Sequence, residues 1–526
     1  MSTDKSCPSQ TNRSVARSAG LISLGIFCSR ILGFLRDIVI ARLFGVYVYA
    51  EAFVVAFRIP NLLRDVVGEG ATNAAFVPVF SEYKLKHTKE EFWELANVVL
   101  NLLLVMLMAV TFLGIISAPL IVRVIAPGFI TSPEKLAITI RLTRVIFPYI
   151  LLISLVAYST GILNSLKHFA VPAFSPCLLN ISIIIFVLAF RQGTKGLALG
   201  VLTGGVLQLA VQIPVLYKKG FRLKWPRSYN HPAAKAIGRL FLPRLFSSCI
   251  YQLNNLVDSI FGSLAWIVGE GGVAILYFSY RLVLFPLGIF SNALSQAILP
   301  ALSEHALLEG RDKLRRALSW SLRATFFVIL PASAALIVLA DPIISALFGG
   351  GKFDLYSVHF TARALLFYSI GLSAYGAKRM LQSCFFALKD TRTPAQVAFL
   401  TLLLNIILNS ILIFPLKISG VALATSISGI VTFFILFFLL KRKIGDFDGK
   451  SILVSFLRIL AASIAMGVVC YLLSQKNMLL AGSKSAQFYK LGWVILAGLF
   501  SYAGFCFIFR VGELRELSSW LLKRNK

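Results

Sequence analysis

Residues 20–44, GLISLGIFCSRILGFLRDIVIARLF, are long and apolar enough to cross a bilayer, yet they carry Arg30, Arg36, Asp37 and Arg42. A charged side chain at the centre of a membrane costs about 2.5–3.5 kcal/mol on insertion scales, so such residues face a hydrated or protein-lined interior and act there. Arginine also has a planar fork that donates two parallel hydrogen bonds and stays charged at any physiological pH, which suits phosphate. The stretch therefore reads as a membrane helix that meets something anionic.

The rest of the chain agrees. Its 526 residues are 58% hydrophobic and only 14% charged, with a mean hydropathy of +0.82, far from soluble globular proteins. A helical crossing needs about 20 apolar residues. Such runs lie near 20–44, 46–80, 94–125, 137–164, 170–190, 196–217, 236–266, 271–300, 317–347, 356–387, 394–415, 418–440, 451–474 and 489–509. The expected fold class is an all-α integral membrane protein of about fourteen transmembrane helices.

The net charge of +30 is not gathered into a nucleic-acid-binding domain; it falls in alternate loops. Lys84, Lys86 and Lys89, the run Lys218 to Arg239, Arg311 to Arg316, Lys441-Arg442-Lys443 and the C-terminal tail all share one side. The positive-inside rule makes that side cytoplasmic, together with both termini. Anionic membrane lipids are the partners expected for these loops. The first seventeen residues have neither an apolar core nor a small-residue cleavage site, so the first helix is expected to direct insertion itself. The seven cysteines form no CxxC pair and the five histidines no metal-ligand spacing, arguing against a disulfide framework or a zinc site. Gly349-Gly350-Gly351-Lys352 lacks the Ser/Thr and the earlier glycine of a P-loop. No extramembrane segment is large enough for a catalytic site, so no enzyme is expected.

An internal repeat organises the chain. AFVP at 75–78 with Ser81-Glu82 recurs as AILP at 297–300 with Ser303-Glu304, and Leu166-Lys167 with Pro172-Ala173 recurs as Leu388-Lys389 with Pro394-Ala395. Gly196 and Gly205 reappear as Gly420 and Gly429, and Arg58 as Arg281, all 222–224 residues apart. We expect an N-terminal tail (1–18), a first lobe (19–218), a basic linker (219–235), a second lobe (236–442), and a segment 443–526 whose two helices fall outside the duplication. An even number of spans separates the copies, so both lobes share one orientation, as in transporters that rock about a central cleft.

Charges can then be placed. Arg30 and Asp37 are seven residues apart and share a helix face. Glu51, Arg58 and Asp65 repeat that spacing, Glu69 lies a turn beyond, and Arg64 is adjacent. Two readings stand: a cationic cleft that binds a pyrophosphate, with Arg281 reaching it from the second lobe, or internal ion pairs that hold the helices and gate the cleft. Arg141, Arg144, Arg363 and Arg458 sit near span ends and read as snorkelling side chains. Asp258 is a lone intramembrane carboxylate. With Asn405, Asn409 and Thr425 it could ligate a small coupling cation, Na+ or H+, or these groups could simply hydrogen-bond between helices. The membrane potential, about 2.3 kcal/mol per charge per 100 mV, is the alternative driving term.

SRILGFLRD at 29–37, ARLFG at 41–45, AFRIPNLLR at 56–64, and EGA at 69–71 followed by AFVP resemble the signature of the MurJ/MviN lipid II flippases. These belong to the multidrug/oligosaccharidyl-lipid/polysaccharide exporter superfamily. FPYILLIS at 147–154, GILN at 161–164 and YRL at 280–282 extend the resemblance over nearly the whole chain. It implies a monomeric fourteen-helix flippase in the bacterial cytoplasmic membrane. Its substrate would be lipid II, the undecaprenyl-pyrophosphate-linked disaccharide-pentapeptide of peptidoglycan synthesis, moved from inner to outer leaflet by alternating access with no covalent step. The family's cavity arginines fall on Arg30, Arg36, Arg64 and Arg281, and its lipid-tail groove on the two spans after Lys443. Glu51 stands where aspartate is common, Asp65 where a basic residue is common and Leu284 where an acid is common, so the ion pairs among Asp37, Glu51, Arg58, Asp65 and Glu69 need not follow the family scheme. Two other functions fit parts of the pattern: export of another lipid-linked glycan or an organic cation, and a scaffold recruiting cell-wall or division proteins through its basic loops.

Overall fold

The computed structural model describes residues 8–64, 76–225, 231–307, 311–476 and 484–514. Among them every regular element is helical, apart from one isolated bridge between Gly350 and Phe353. The first helices are α1 (Pro8–Phe44), α2 (Val48–Arg64), α3 (Val77–Lys86), α4 (Lys89–Ile116), α5 (Ala118–Ile125), α6 (Pro133–Ile146), α7 (Tyr149–Ser165), α8 (Ala170–Ala189), α9 (Lys195–Ala210) and α10 (Ile213–Lys219). There follow α11 (Pro232–Gly262), α12 (Ala265–Val268), α13 (Gly272–Pro286), α14 (Asn292–Leu307), α15 (Asp312–Val338), α16 (Ala340–Leu347), α17 (Leu355–Ile370), α18 (Leu372–Ala387), α19 (Arg392–Leu416) and α20 (Ile418–Ile444). The last two are α21 (Gly449–Lys476) and α22 (Lys484–Ile508).

Packing divides the chain into two units, Met1–Leu253 and Asn254–Lys526, with the division inside α11. Within the first, α2 packs on α6, α4 on α7, α7 on α9, and α8 on α9 and α1. Within the second, the counterparts recur: α13 on α17, α15 on α18, α18 on α20, and α19 on α20. Local details repeat as well. Lys167 and Lys389, at matching places after α7 and α18, both take the left-handed backbone, with φ of 60° and 58°. Gly205 lies under the ring of Tyr149 and Gly429 under that of Tyr375, so close that a Cβ would meet the ring at 2.8 and 2.2 Å. Helix α21 packs on α15, and α22 on α21 and α16, with no counterpart among the described residues of the first unit.

Among the described residues, ten segments are long and apolar enough to cross a membrane. The other four sequence-read spans fall on α1, α2, α11 and the α17–α18 pair, which are short or interrupted by charge. Several spans read as continuous are broken. Residues 46–80 give α2 and then α3, with 65–75 outside the described residues. The span 137–164 begins at Pro133 and breaks at Phe147-Pro148, where the proline cannot donate to the preceding turn. Pro286 leads from α13 through a π-helical turn, Leu287–Ser291, into α14. At the break between α17 and α18 the carbonyls of Phe367 and Tyr368 accept from Ser426 Oγ of α20 at 2.6 and 3.2 Å, the second alongside the Gly371 N–H. The glycine run 349–351 forms a tight turn between α16 and α17, with Gly350 and Gly351 at positive φ. Large side chains such as Phe414 and Phe500, 69% and 78% exposed, cover the outside as they do where the solvent is lipid.

Candidate functional site

In the first lobe the charges of α1 separate into two kinds. Arg30 is exposed. Arg36 is 4% exposed and Asp37 fully buried. The Arg36 guanidinium donates from Nε and Nη2 to Asp37 Oδ1 at 3.0 and 2.7 Å, and from Nη1 to Asn180 Oδ1 of α8 at 3.1 Å. Asn180 Nδ2 in turn donates to the Ser29 carbonyl at 3.2 Å, so one amide spans two turns of α1. Close approach allows this: a Cβ on Gly25 would lie 2.6 Å from the Ala173 carbonyl oxygen of α8. A buried ion pair persists only when hydrogen bonds replace the lost water, and here Asn180 contributes to that.

Glu51 of α2, 1% exposed, pairs with Lys135 of α6 at 2.5 Å, and the Lys135 ammonium also lies 4.9 Å from the Phe129 ring centroid. Sequence reasoning missed Lys135, which sits just ahead of the span read at 137–164 and so passed for a loop charge. Arg42 and Arg58 are half-buried. Arg64 closes α2, but its side chain lies outside the described residues, as do Asp65 and Glu69 entirely.

In the second lobe the four residues singled out as a cation set meet. Asp258 of α11 is 8% exposed. Thr425 Oγ1 of α20 lies 3.1 Å from both its carboxylate oxygens, and Asn409 Nδ2 of α19 lies 3.5 Å from Oδ1. Asn409 also donates to Asn405 Oδ1 at 3.1 Å, Asn405 to Thr425 Oγ1 at 3.2 Å, and the Tyr368 hydroxyl approaches Asp258 Oδ2 at 3.5 Å. Asn409 Oδ1 is buried with no donor among the described residues. One carboxylate among neutral oxygens, with an acceptor left over, is the donor chemistry of a hard cation of low charge.

Arg281 of α13 is half-buried, beside Tyr280, whose ring packs on Tyr368 with centroids 5.2 Å apart. Sequence reasoning also passed over Lys378 and Arg379 on α18, although the intramembrane-charge signal that marks Arg30 marks them too. Lys378 Nζ lies 5.1 Å from the Tyr375 ring centroid.

Comparison with other proteins gives this arrangement a family. The family model described as lipid II flippase MurJ matches residues 40–488. A probable lipid II flippase MurJ from Buchnera aphidicola subsp. Acyrthosiphon pisum is 36% identical over 455 residues, 86% of this chain and 88% of the relative. The lipid II flippase MurJ of Burkholderia cenocepacia is 33% identical over 423 residues, covering 79% and 81%. Among solved structures, lipid II flippase MurJ in an inward closed conformation superposes with a TM-score of 0.78 at 30% identity, over 94% of this chain and 99% of that one. An inward-facing multidrug transporter of the MATE family, 17% identical with a TM-score of 0.66 over 80% of this chain and 96% of its own, shares the fold. The chain is a multi-pass membrane protein and belongs to the MurJ lipid II flippase family.

Proposed function

We infer that this protein moves lipid II from the inner to the outer leaflet of the bacterial cytoplasmic membrane during peptidoglycan synthesis. The observation that carries the reading is the family match across residues 40–488. The chemistry of the chain fits it. A pyrophosphate needs several guanidinium forks in a hydrated cleft; of Arg30, Arg36, Arg64 and Arg281, Arg30 stands exposed, whereas Arg36 is buried against Asp37 and Asn180 and is assigned to bracing instead. The polyprenyl tail is best left in lipid, where α21 and α22 offer a wall including the exposed Trp493, Phe500 and Phe507. No bond is made or broken, so the protein works as a transporter and not as an enzyme.

In this reading the lobes 19–218 and 236–442, parts of one fourteen-span monomer with both termini cytoplasmic, rock about the cleft. Glu51, Arg58, Asp65, Glu69 and Asp37 form the ion pairs that brace or gate it. Asp258, Asn405, Asn409 and Thr425 would hold a coupling cation, Na+ or H+, which would supply a gradient to bias the cycle. The membrane potential acting on the arginines adds about 2.3 kcal/mol per charge per 100 mV.

Complementation in a bacterium depleted of its own lipid II flippase tests the reading, with membrane abundance and outer-leaflet lipid II both measured. The parent chain is expected to rescue growth, and Arg30→Ala and Arg281→Ala to fail while remaining abundant. Rescue by both variants would overturn the cationic cleft, and an abundant parent that delivers no lipid II outward would overturn the function.

A further inference from the structure

In the second lobe, Arg323 in the body of α15, the first turns of α21 and the residues after α22 surround a cavity of about 320 Å³. Arg323 of α15, Lys450, Ser451, Ser455 and Arg458 of α21, and Glu513 line it. A wider cleft of about 700 Å³ adjoins it, sharing Arg323 and Asp448 and extending to Arg316 and Trp320. None of these residues belongs to the candidate site described above.

Hydrogen bonds fix the walls. Glu513, 7% exposed, accepts from Ser455 Oγ at 2.7 Å and from Arg323 Nη1 at 3.3 Å, tying the segment after α22 to α15 and α21. Arg458 Nη1 donates to the Arg510 carbonyl at 3.2 Å. Arg311 and Arg315 cap the last carbonyls of α20, Lys443 and Ile444, at 2.9 and 2.7 Å. Donors remain unused. Arg323 Nε and Ser319 Oγ, one turn apart on α15, are both buried without a partner among the described residues. Arg323 lines both cavities and Ser319 only the wider one; buried polar atoms rarely stay unsatisfied, so the Arg323 Nε donor favours a ligand with acceptor oxygens where the two cavities join.

Charge and position narrow the ligand. The smaller cavity sets Arg323, Lys450 and Arg458 against Asp448 and Glu513, an excess of one positive charge, which a phosphodiester monoanion balances. Four helix ends meet here, at the level where apolar spans give way to polar turns. Leu453 and Leu457 on α21, next in sequence to the lining residues Val454 and Arg458, are both more than half exposed and offer apolar surface beside it. Basic pockets between transmembrane helices at this level bind lipid headgroups. We propose that this cavity binds the phosphodiester headgroup of a glycerophospholipid, whose acyl chains lie along α21 and α22.

Native mass spectrometry and thermal unfolding of the purified full-length protein test this, with phosphatidylglycerol, phosphatidylethanolamine or soluble sn-glycerol 3-phosphate added. Both phospholipids share the phosphodiester, so each is expected to be retained at one per chain and to raise the unfolding midpoint, as any ligand of the folded state does. Glycerol 3-phosphate is expected to do neither. The Lys450→Gln/Arg458→Gln variant should weaken retention by about tenfold or more. Lys218→Gln/Lys219→Gln, an equal loss of charge elsewhere, should leave retention unchanged. Ser451→Phe, which fills the cavity and keeps its charges, should abolish retention and guards against misfolding of the double variant. Parent-like retention in Ser451→Phe or in the folded double variant would overturn the proposal. So would equal protection by glycerol 3-phosphate, which would make this a site for soluble anions, or equal loss in the Lys218/Lys219 control.

Discussion

Between α1 and α8 the first lobe buries a guanidinium, that of Arg36, against Asp37 and Asn180. Between α11 and α19 the second lobe gathers the carboxylate of Asp258 with Asn409 and Asn405, joined by Thr425 of α20. Arg36 and Asp258 stand 222 residues apart, the offset of the repeat. One duplicated frame has therefore kept a polar knot at one place, with an arginine in the first copy, paired to the neighbouring Asp37, where the second copy has an aspartate. In the first lobe the cation is part of the chain and permanent. In the second the groups described around the carboxylate are hydroxyls and amides, and a cation held there would be exchangeable. A knot that cannot lose its charge can brace a lobe, whereas one that can exchange it can drive a change of state.

The largest effect expected from this contrast is on coupling. Asp258→Asn should keep the protein abundant yet slow gradient-driven lipid II movement by about 100-fold, the upper range of coupling energies between sites. Asp37→Asn should instead act on folding. It strands the buried Arg36 without its counter-charge, at a cost of about 3–5 kcal/mol, read as lost monodisperse protein in size-exclusion profiles. Arg36→Met/Asp37→Leu should recover the folded protein, and normal folding of Asp37→Asn would break the bracing half of the comparison.

Fold class and duplication were legible in the sequence because both rest on local patterns: apolar runs with charges set into them, and short motifs repeated at a fixed offset. The Asp258 set was legible for the same reason, since oxygen-bearing residues are conspicuous in spans otherwise made of Leu, Ile and Phe. The different fates of Arg30 and Arg36 were not. Both interrupt the same apolar run, and which is buried depends on the face of α1 that meets Asn180 of α8, 144 residues away from Arg36. Lys135 was hidden likewise, its partner Glu51 being 84 residues away with no shared motif. Helix breaks such as that at Gly371 depend on Ser426, a hydroxyl from α20.

Smaller effects sharpen the comparison of the lobes. Gly429→Ala should destabilise more than Gly205→Ala, because its Cβ would meet the tyrosine ring at 2.2 rather than 2.8 Å. Overpacking of this kind costs about 1–3 kcal/mol, so thermal midpoints of the two variants should fall in that order. The smallest effect concerns the turn after α18, where Asp390 replaces the His168 of the first lobe. Burial alone would raise the Asp390 pKa, but hydrogen bonds from Lys443 and Thr393 outweigh it and lower it from 3.8 to about 2. Because the folded value is the lower one, the contribution is fully present above 3.8 and disappears as the pH falls toward 2. Asp390→Asn should therefore lower stability at neutral pH and match the parent at the acid end of that window, as read from midpoints across it.

The most direct test of the account is outward movement of fluorescent lipid II in proteoliposomes, with Na+ and pH gradients imposed separately and the parent compared with Asp258→Asn at equal incorporation. One of the two gradients should accelerate the parent and leave Asp258→Asn at the rate it has without a gradient. An equal response of both proteins would contradict it.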